Sequence, residues 1–200
     1  TTLRMLATML KPTSGTATLN GFDIQKEPEK VRGEIGILFG GESGLYNRLT
    51  VAENISYFAE LNNMDKQYIK KRIKYLAEIF EMEDYINKPA GKLSKGMRQK
   101  AAFARAIVHD PNILLLDEPS AGLDVSAMIV IQDFIKMQNK LGKTIIFSSH
   151  TMSEVDKLCN RIAIIHKGKL VDVDTLDNFK NKYNSSNLEQ IFIQLVGEKR

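Results

Sequence analysis

A chain of 200 residues with 43% hydrophobic and 26% charged residues has the composition of a globular protein, long enough to bury about 70% of its unfolded surface around one core. The net charge of +4 is modest and spread out, which argues against nucleic-acid binding. Cys159 is the single cysteine, which excludes an intrachain disulfide, and no apolar run approaches the ~18 residues of a membrane span.

The first half of the chain predicts two strands and then a helical segment. A short strand at residues 16–19 closes in an Asn-Gly turn, and a charged stretch leads to an apolar strand at residues 35–39. Across residues 50–93 the apolar spacing becomes helical, with one amphipathic helix from Val51 and a second at residues 68–80.

The second half predicts helices alternating with strands, which indicates an α/β fold built on a parallel sheet. The expected elements are a helix running into residues 101–106, a strand at 113–116, a helix at 128–140, a strand at 144–149, a helix at 153–160, and strands at 161–166 and 169–173. From Asp177 to the end we expect helix, loop and strand.

Two adjacent carboxylates, Asp117 and Glu118, follow the apolar strand at residues 113–116. Ligands of open α/β sheets bind outside the carboxyl ends of the strands, so both side chains should lie at the chemical edge of the sheet. In nucleotide hydrolysis one such group holds Mg²⁺ and another positions the attacking water. From this pair alone, a strand that ends in a solvated acidic turn is an equal alternative.

A candidate anion site lies before this strand. Ser94 has the position of an N-cap for the helix that runs into residues 101–106, and the free amides and dipole of a helix start favour an anion. Gly96 would let the backbone come close to a phosphate. Taken by itself, this motif fits an ordinary capped helix equally well.

Together these motifs resemble the ATP-binding subunit of ABC (ATP-binding cassette) transporters, and the resemblance covers essentially the whole chain. Residues 93–97 (L-S-K-G-M) resemble the signature sequence of the family, and Asp117 and Glu118 resemble its Walker B motif. Residues 120–124 resemble the D-loop, and His150 resembles the switch histidine. Residues 44–54 are similar to the drug- and sodium-exporting branches of the family.

The resemblance implies a fold and a domain organisation. We expect a P-loop NTPase-type parallel sheet flanked by helices, with an inserted helical lobe and remnants of an antiparallel β subdomain. All of this would form one ATP-binding domain over residues 1–200, with the helical lobe at residues 50–93.

The start of the chain is similar to the helix that follows a phosphate-binding loop, G-x-x-x-x-G-K-[ST]. Thr1 would be the final threonine of that motif, a nucleotide-binding residue and a Mg²⁺ ligand, and Thr2 would also contact the nucleotide. Because the glycines and the lysine of the loop would precede Thr1, we expect a fragment truncated within Walker A and inactive without the missing loop.

Two places depart from the family pattern. Lys95 and Met97 replace a glycine and a glutamine of the usual L-S-G-G-Q. Lys95 could add a positive charge near a γ-phosphate, although a lysine at a helix start is more often solvated. After the strand at residues 35–39, Gly40 stands nearest to the usual glutamine. The contact that this glutamine makes is therefore either missing or supplied by Glu42 or a water.

By resemblance, two such domains would sandwich ATP and Mg²⁺ as a homodimer or paired cassette, bound to a transmembrane permease on the cytoplasmic side of the cell membrane. The residues expected to act are Glu118 and His150 in catalysis, Thr1 and Asp117 on the metal, and Thr1, Thr2, Ser94, Lys95, Gly96 and Asp124 on the nucleotide. An exporter is the expected function. The alternatives are a soluble ABC-family ATPase and a non-hydrolysing regulatory subunit, and the presence of Glu118 argues against the latter.

Overall fold

The computed structural model describes residues 1–39 and 44–197. The chain divides into two compact units, Thr1–Ser148 and a second unit that begins at Ser149. Within the described ranges, no helix combines the length and the apolar run that a bilayer crossing requires.

A parallel sheet with the strand order β3-β4-β5 lies at the centre of the first unit. Its strands are β3 (Ile35–Leu38), β4 (Ile113–Asp117) and β5 (Thr144–Ser148). In the register, Leu38 pairs with Leu116 and Asp117 pairs with Ser148. The first four residues of β4 are buried, as is typical of a parallel strand covered on both faces. The predicted parallel sheet is therefore confirmed.

One face of this sheet packs against helices α1 (Thr2–Leu6) and α2 (Pro28–Glu34). The apolar residues in this layer are Leu3, Leu6, Ala7, Val31, Ile35, Ile113 and Leu115. Helix α2 was not predicted, because its sequence P-E-K-V-R-G-E buries a single residue, Val31, and gives no apolar periodicity.

Helix α5 (Lys95–Ala106) lies on the opposite face, since side chains alternate between the two faces of a strand. A Cβ atom on Gly36 of β3 would lie 2.7 Å from the carbonyl oxygen of Ala106 and 2.9 Å from a side-chain carbon of Leu114. The glycine thus lets the end of α5 approach the sheet more closely than any other residue would allow.

The segment predicted to be helical, residues 50–93, contains α3 (Val51–Leu61) and α4 (Lys66–Ile79). Helix α3 begins with a capping box in which Thr50 and Glu53 each accept a hydrogen bond from the backbone amide of the other. Two short 3-10 helices follow, Glu83–Tyr85 and Ala90–Lys92. The helices are confirmed, whereas their status as a distinct lobe stays a prediction.

Antiparallel pairs occur in both units. Strands β1 (Thr18–Leu19) and β2 (Phe22–Asp23) join through a turn in which Asn20 and Gly21 have φ of 48° and 88°. Two consecutive positive φ values are typical of a tight hairpin, and the Asn-Gly pair adopts them readily. In the second unit, β6 (Arg161–His166) and β7 (Lys169–Thr175) form a longer hairpin.

Helix α6 (Val125–Lys140) completes the first unit, and α7 (Met152–Leu158), α8 (Leu176–Lys182) and α9 (Leu188–Val196) belong to the second. The strand expected at the end of the chain is wrong, since α9 occupies that place. Asn187 caps α9 by accepting hydrogen bonds from the amides of Glu189 and Gln190. Leu188 and Ile191, three residues apart, are both buried, which is helical spacing.

Candidate functional site at the carboxyl edge of the sheet

Asp117 is the last residue of β4 and stands at the carboxyl edge of the parallel sheet. Its neighbour in the register is Ser148, whose hydroxyl donates a hydrogen bond to Asp117 Oδ1 over 2.5 Å. This contact fixes a half-buried carboxylate at the strand end. Ser148 is not among the site residues predicted from the sequence; the available signal was a polar residue that ends an apolar strand beside the edge predicted for Asp117.

Glu118 begins a sharp turn directly after the strand. Its φ of 49° lies in the left-handed region, which is uncommon for a residue other than glycine and costs on the order of 1–3 kcal/mol. Its amide donates to the carbonyl oxygen of Ser148 over 3.1 Å and lies 3.2 Å from the Ser148 hydroxyl. The two adjacent acidic residues therefore have different backbone conformations: Asp117 is part of the sheet, and Glu118 is part of a strained turn.

Ser94 is the N-cap of α5, as predicted, and its hydroxyl accepts a hydrogen bond from the Met97 amide over 3.3 Å. Gly96 lies in the first turn of this helix. A Cβ atom there would lie 3.5 Å from Asp124 Oδ2 and 3.6 Å from Ala127 Cβ, which are ordinary contact distances. Packing among residues 1–39 and 44–197 therefore does not require a glycine at position 96.

Asp124 caps α6 by accepting a hydrogen bond from the Ala127 amide over 2.8 Å. Its carboxylate thus has a structural role in its own chain, and the predicted nucleotide contact stays a prediction. This cap also explains why α6 starts three residues earlier than the sequence analysis expected.

The N-terminal end of α1 lies at the same edge as Asp117. The guanidinium of Arg4 is 5.6 Å from the ring centroid of Phe39, which directly follows β3. At the other end of the helix, Thr8 accepts a hydrogen bond from Arg32, which precedes β3. Helix α1 therefore runs antiparallel to β3, and this places Thr1 and Thr2 toward the carboxyl edge.

His150 belongs to the second unit, in the turn before α7, and is exposed. Beside it, Ser149 donates its hydroxyl hydrogen to Glu154 over 2.6 Å and accepts from the Thr151 amide over 3.0 Å. The catalytic role expected of His150 stays a prediction. Gly40 and Glu42, the candidates for the missing glutamine contact, lie outside the described residues.

A metal at this edge would need oxygen ligands from more than the protein. Within residues 1–39 and 44–197, no three or more His, Cys, Asp and Glu side chains form a group that could hold a metal ion. Magnesium at nucleotide sites usually takes one or two protein ligands and completes its shell with phosphate oxygens and water. Asp117 and the Thr1 hydroxyl, brought to one edge, fit that arrangement.

Two further titratable groups have pKa values shifted by burial. Burial, with a smaller effect from the Glu154 carboxylate, raises the pKa of the Cys159 thiol to about 11, so the thiol is protonated at neutral pH. His109 Nε2 lies 3.2 Å from the carbonyl oxygen of Ile35, at the beginning of β3 and the opposite end of the sheet.

Comparison with protein families gives a match to the family described as ABC transporter, over residues 1–121. The ABC transporter ATP-binding protein NatA of Bacillus subtilis is 45% identical over 193 residues, covering 96% of this chain and 78% of NatA. The uncharacterized ABC transporter ATP-binding protein YhaQ of the same organism is 35% identical, over 94% of this chain and 62% of YhaQ. The human phospholipid-transporting ATPase ABCA3 is also 35% identical, and the aligned region is 11% of its length.

Solved structures show the same fold. The ATP-binding subunit of an ABC transporter aligns with a TM-score of 0.89 and 24% identity, over 97% of this chain and 81% of that one. The ATP-binding cassette MJ0796, solved as a dimer in a post-hydrolysis state bound to ADP and Pi, aligns with a TM-score of 0.78 and 25% identity, over 87% of this chain and 78% of that one.

Proposed function

This chain belongs to the ABC transporter family, as one of its ATP-binding proteins, and on that premise we propose that it hydrolyses ATP to power a membrane transporter. The observation that carries the proposal is the carboxyl edge of the sheet. There Ser148 holds Asp117 at the end of β4, and Glu118 follows in a strained turn. Strain of this kind clusters at functional sites.

At this edge the two carboxylates have separate tasks. Asp117, with the hydroxyl of Thr1, would hold Mg²⁺, which when bound offsets the charge of the phosphates. Glu118 would orient the attacking water and accept its proton. The N-terminal end of α1, with Thr1 and Thr2, would face the phosphates, since helix starts favour anions.

The nucleotide would also be bound by a second copy of the chain. Ser94, Lys95 and Gly96 at the start of α5 would meet the γ-phosphate held by the partner, and Asp124 would lie at the same interface. Gly96 supports this, because no packing contact among the described residues requires a glycine there, and a glycine lets an external phosphate approach the backbone. His150 would contact the γ-phosphate held by its own chain.

We further propose that the chain binds a transmembrane permease on the cytoplasmic side of the membrane and that the complex exports its substrate. The support for this proposal is the resemblance of residues 44–54 to the drug- and sodium-exporting branches and the identity of 45% with NatA. The transported substrate depends on the permease, because substrate chemistry lies in that partner.

Two measurements test the proposal. The chain extended at its N-terminus by a phosphate-binding loop should release phosphate from Mg-ATP, and the same chain should co-purify from membranes with a multi-span protein. Activity without membrane association would favour a soluble ABC-family ATPase. Nucleotide binding without turnover would instead favour a non-hydrolysing regulatory subunit.

A further inference from the structure

We infer that Lys95 and Gln99 are positioning residues that hold the turn at residues 118–124 against α5 and thereby fix the place of Glu118. The inference rests on the proposed function, because it takes Glu118 as the group that aligns the attacking water. Its evidence is a set of contacts between the first turns of α5 and the segment after β4, all within the first unit.

The side chain of Lys95 covers Gly122. A Cβ atom built on Gly122 would lie 2.0 Å from Lys95 Nζ, 3.1 Å from Cε and 4.0 Å from Cδ. The end of the lysine side chain therefore crosses directly over the glycine backbone, which has a φ of 68°. A residue with a shorter side chain at position 95 would leave this part of the turn uncovered.

One helical turn further along, Gln99 holds the beginning of the same segment. Its side-chain amide donates a hydrogen bond to the carbonyl oxygen of Pro119 over 3.1 Å. Residues 95 and 99 are spaced i, i+4 and so lie on one face of α5. This face contacts the segment at Pro119, directly after Glu118, and again at Gly122.

Two backbone hydrogen bonds lie within the turn itself. Ala121 donates its amide hydrogen to the Glu118 carbonyl oxygen over 3.1 Å, and Leu123 donates to Ser120 over 3.3 Å. Glu118 also keeps a left-handed backbone conformation that its side chain disfavours. Strained residues persist when their surroundings over-determine them, and the contacts from Lys95 and Gln99 supply that constraint on one side.

Hydrogen exchange of the chain without nucleotide tests the contacts directly. In Gln99→Ala and Lys95→Ala, exchange of the Ala121 and Leu123 amides should accelerate about fivefold, the expected effect of losing one modest interaction. Lys95→Met keeps most of the covering stem and should exchange like the parent. Lys92→Ala, an exposed lysine just before the helix, is the matched control. Unchanged exchange in both alanine variants would overturn the inference, as would equal acceleration in Lys95→Met.

Turnover measured on the loop-extended chain tests the link to Glu118. In Gln99→Ala, kcat should fall about fivefold or more while the Kd for ATP stays at the parental value, because positioning acts on the transition state. Accelerated exchange with an unchanged kcat would overturn the positioning role. If the parent chain itself fails to hydrolyse ATP, the proposed function fails, and the exchange experiment still decides whether the contacts hold the turn.

Discussion

The hydroxyl of Ser148 donates to the Asp117 carboxylate over 2.5 Å, and the same oxygen lies 3.2 Å from the Glu118 amide, which donates to it. A serine hydroxyl can fill both roles, since it has one hydrogen to donate and lone pairs to accept. The last residue of β5 thus holds both the Asp117 carboxylate and the backbone amide of Glu118.

Ser148→Ala should destabilise the chain by about 1–2 kcal/mol, because it removes a hydrogen bond to a carboxylate and one to a strained backbone amide. Denaturant unfolding followed by circular dichroism measures this loss. Ser56→Ala in α3 is a control, because it also removes a serine–carboxylate hydrogen bond, to Glu60, but one that is exposed to solvent. Equal losses in the two variants would contradict a special role for Ser148.

Glu118→Gln, in the loop-extended chain, should keep ATP binding while turnover falls about a hundredfold or more, because an amide cannot accept the proton from water. ATP should then hold the dimer together, visible as a shift in size-exclusion chromatography with Mg-ATP. Glu29→Gln, on the exposed surface of α2, should retain the parental rate. A Glu118→Gln variant as active as the parent would remove Glu118 from the mechanism.

Glu118→Gly should be more stable than Glu118→Ala by about 1 kcal/mol, because glycine adopts a φ of 49° without the steric penalty that a Cβ atom carries. Both variants lack the carboxylate, so the difference isolates the backbone conformation. Thermal unfolding of the pair is the measurement, and a more stable alanine variant would argue against strain at this residue.

Ser94→Arg should block ATP-dependent dimerisation and hydrolysis while leaving nucleotide binding to the monomer nearly intact. The reason is that Ser94 caps an exposed helix start that, in the proposed sandwich, faces the nucleotide of the partner. Titration with a fluorescent nucleotide separates the two effects. A parallel loss of binding and turnover would mean that Ser94 serves its own protomer.

His109 should make the stability of the chain depend on pH below neutrality. Burial lowers its pKa, with smaller effects in the same direction from Lys143 and Arg72, while the hydrogen bond to Ile35 and the charge of Asp110 oppose the shift. The unfolded state therefore binds the proton more readily, so stability falls as pH falls through the ordinary histidine range. Between about pH 7.5 and about pH 5.5, the free energy of unfolding should decrease more in the parent than in His109→Gln. Equal decreases would show that other groups cause the effect.

Local signals in the sequence were sufficient for the apolar strands and for the cap at Ser94, because an apolar run and a capping serine act within a few residues. Contacts made across the fold gave no such signal. The pairing of Ser148 with Asp117 depends on the register of two strands about 30 residues apart. The contact of Lys95 with Gly122 depends on how α5 packs beside the turn.

Near the end of the chain, a clear local signal in the sequence points to the wrong type of element. Ile191, Phe192 and Ile193 form an apolar run that would suit the strand expected near the end of the chain. In the structure Ile191 is buried and Ile193 is 60% exposed, so only one face of this segment packs. The residues of the second unit that pack against this segment favour a helix over a strand. They are distant in the sequence, so the local pattern does not reveal them.

Gly36 affects the position of helix α5 along its whole length, including the end that contacts the turn after β4. Helix α5 has 12 residues, so its ends are separated by about 18 Å. The carbonyl oxygen of Ala106, at one end, lies 2.7 Å from the position that a Cβ atom of residue 36 would take, and Lys95, at the other end, covers Gly122. A methyl group added at position 36 would push the Ala106 end of α5 away from the strands. A small tilt of the helix at that end becomes a larger displacement at the Lys95 end. The absence of a Cβ atom at Gly36 therefore helps to position the Lys95–Gly122 contact, although no side chain links that contact to residue 36.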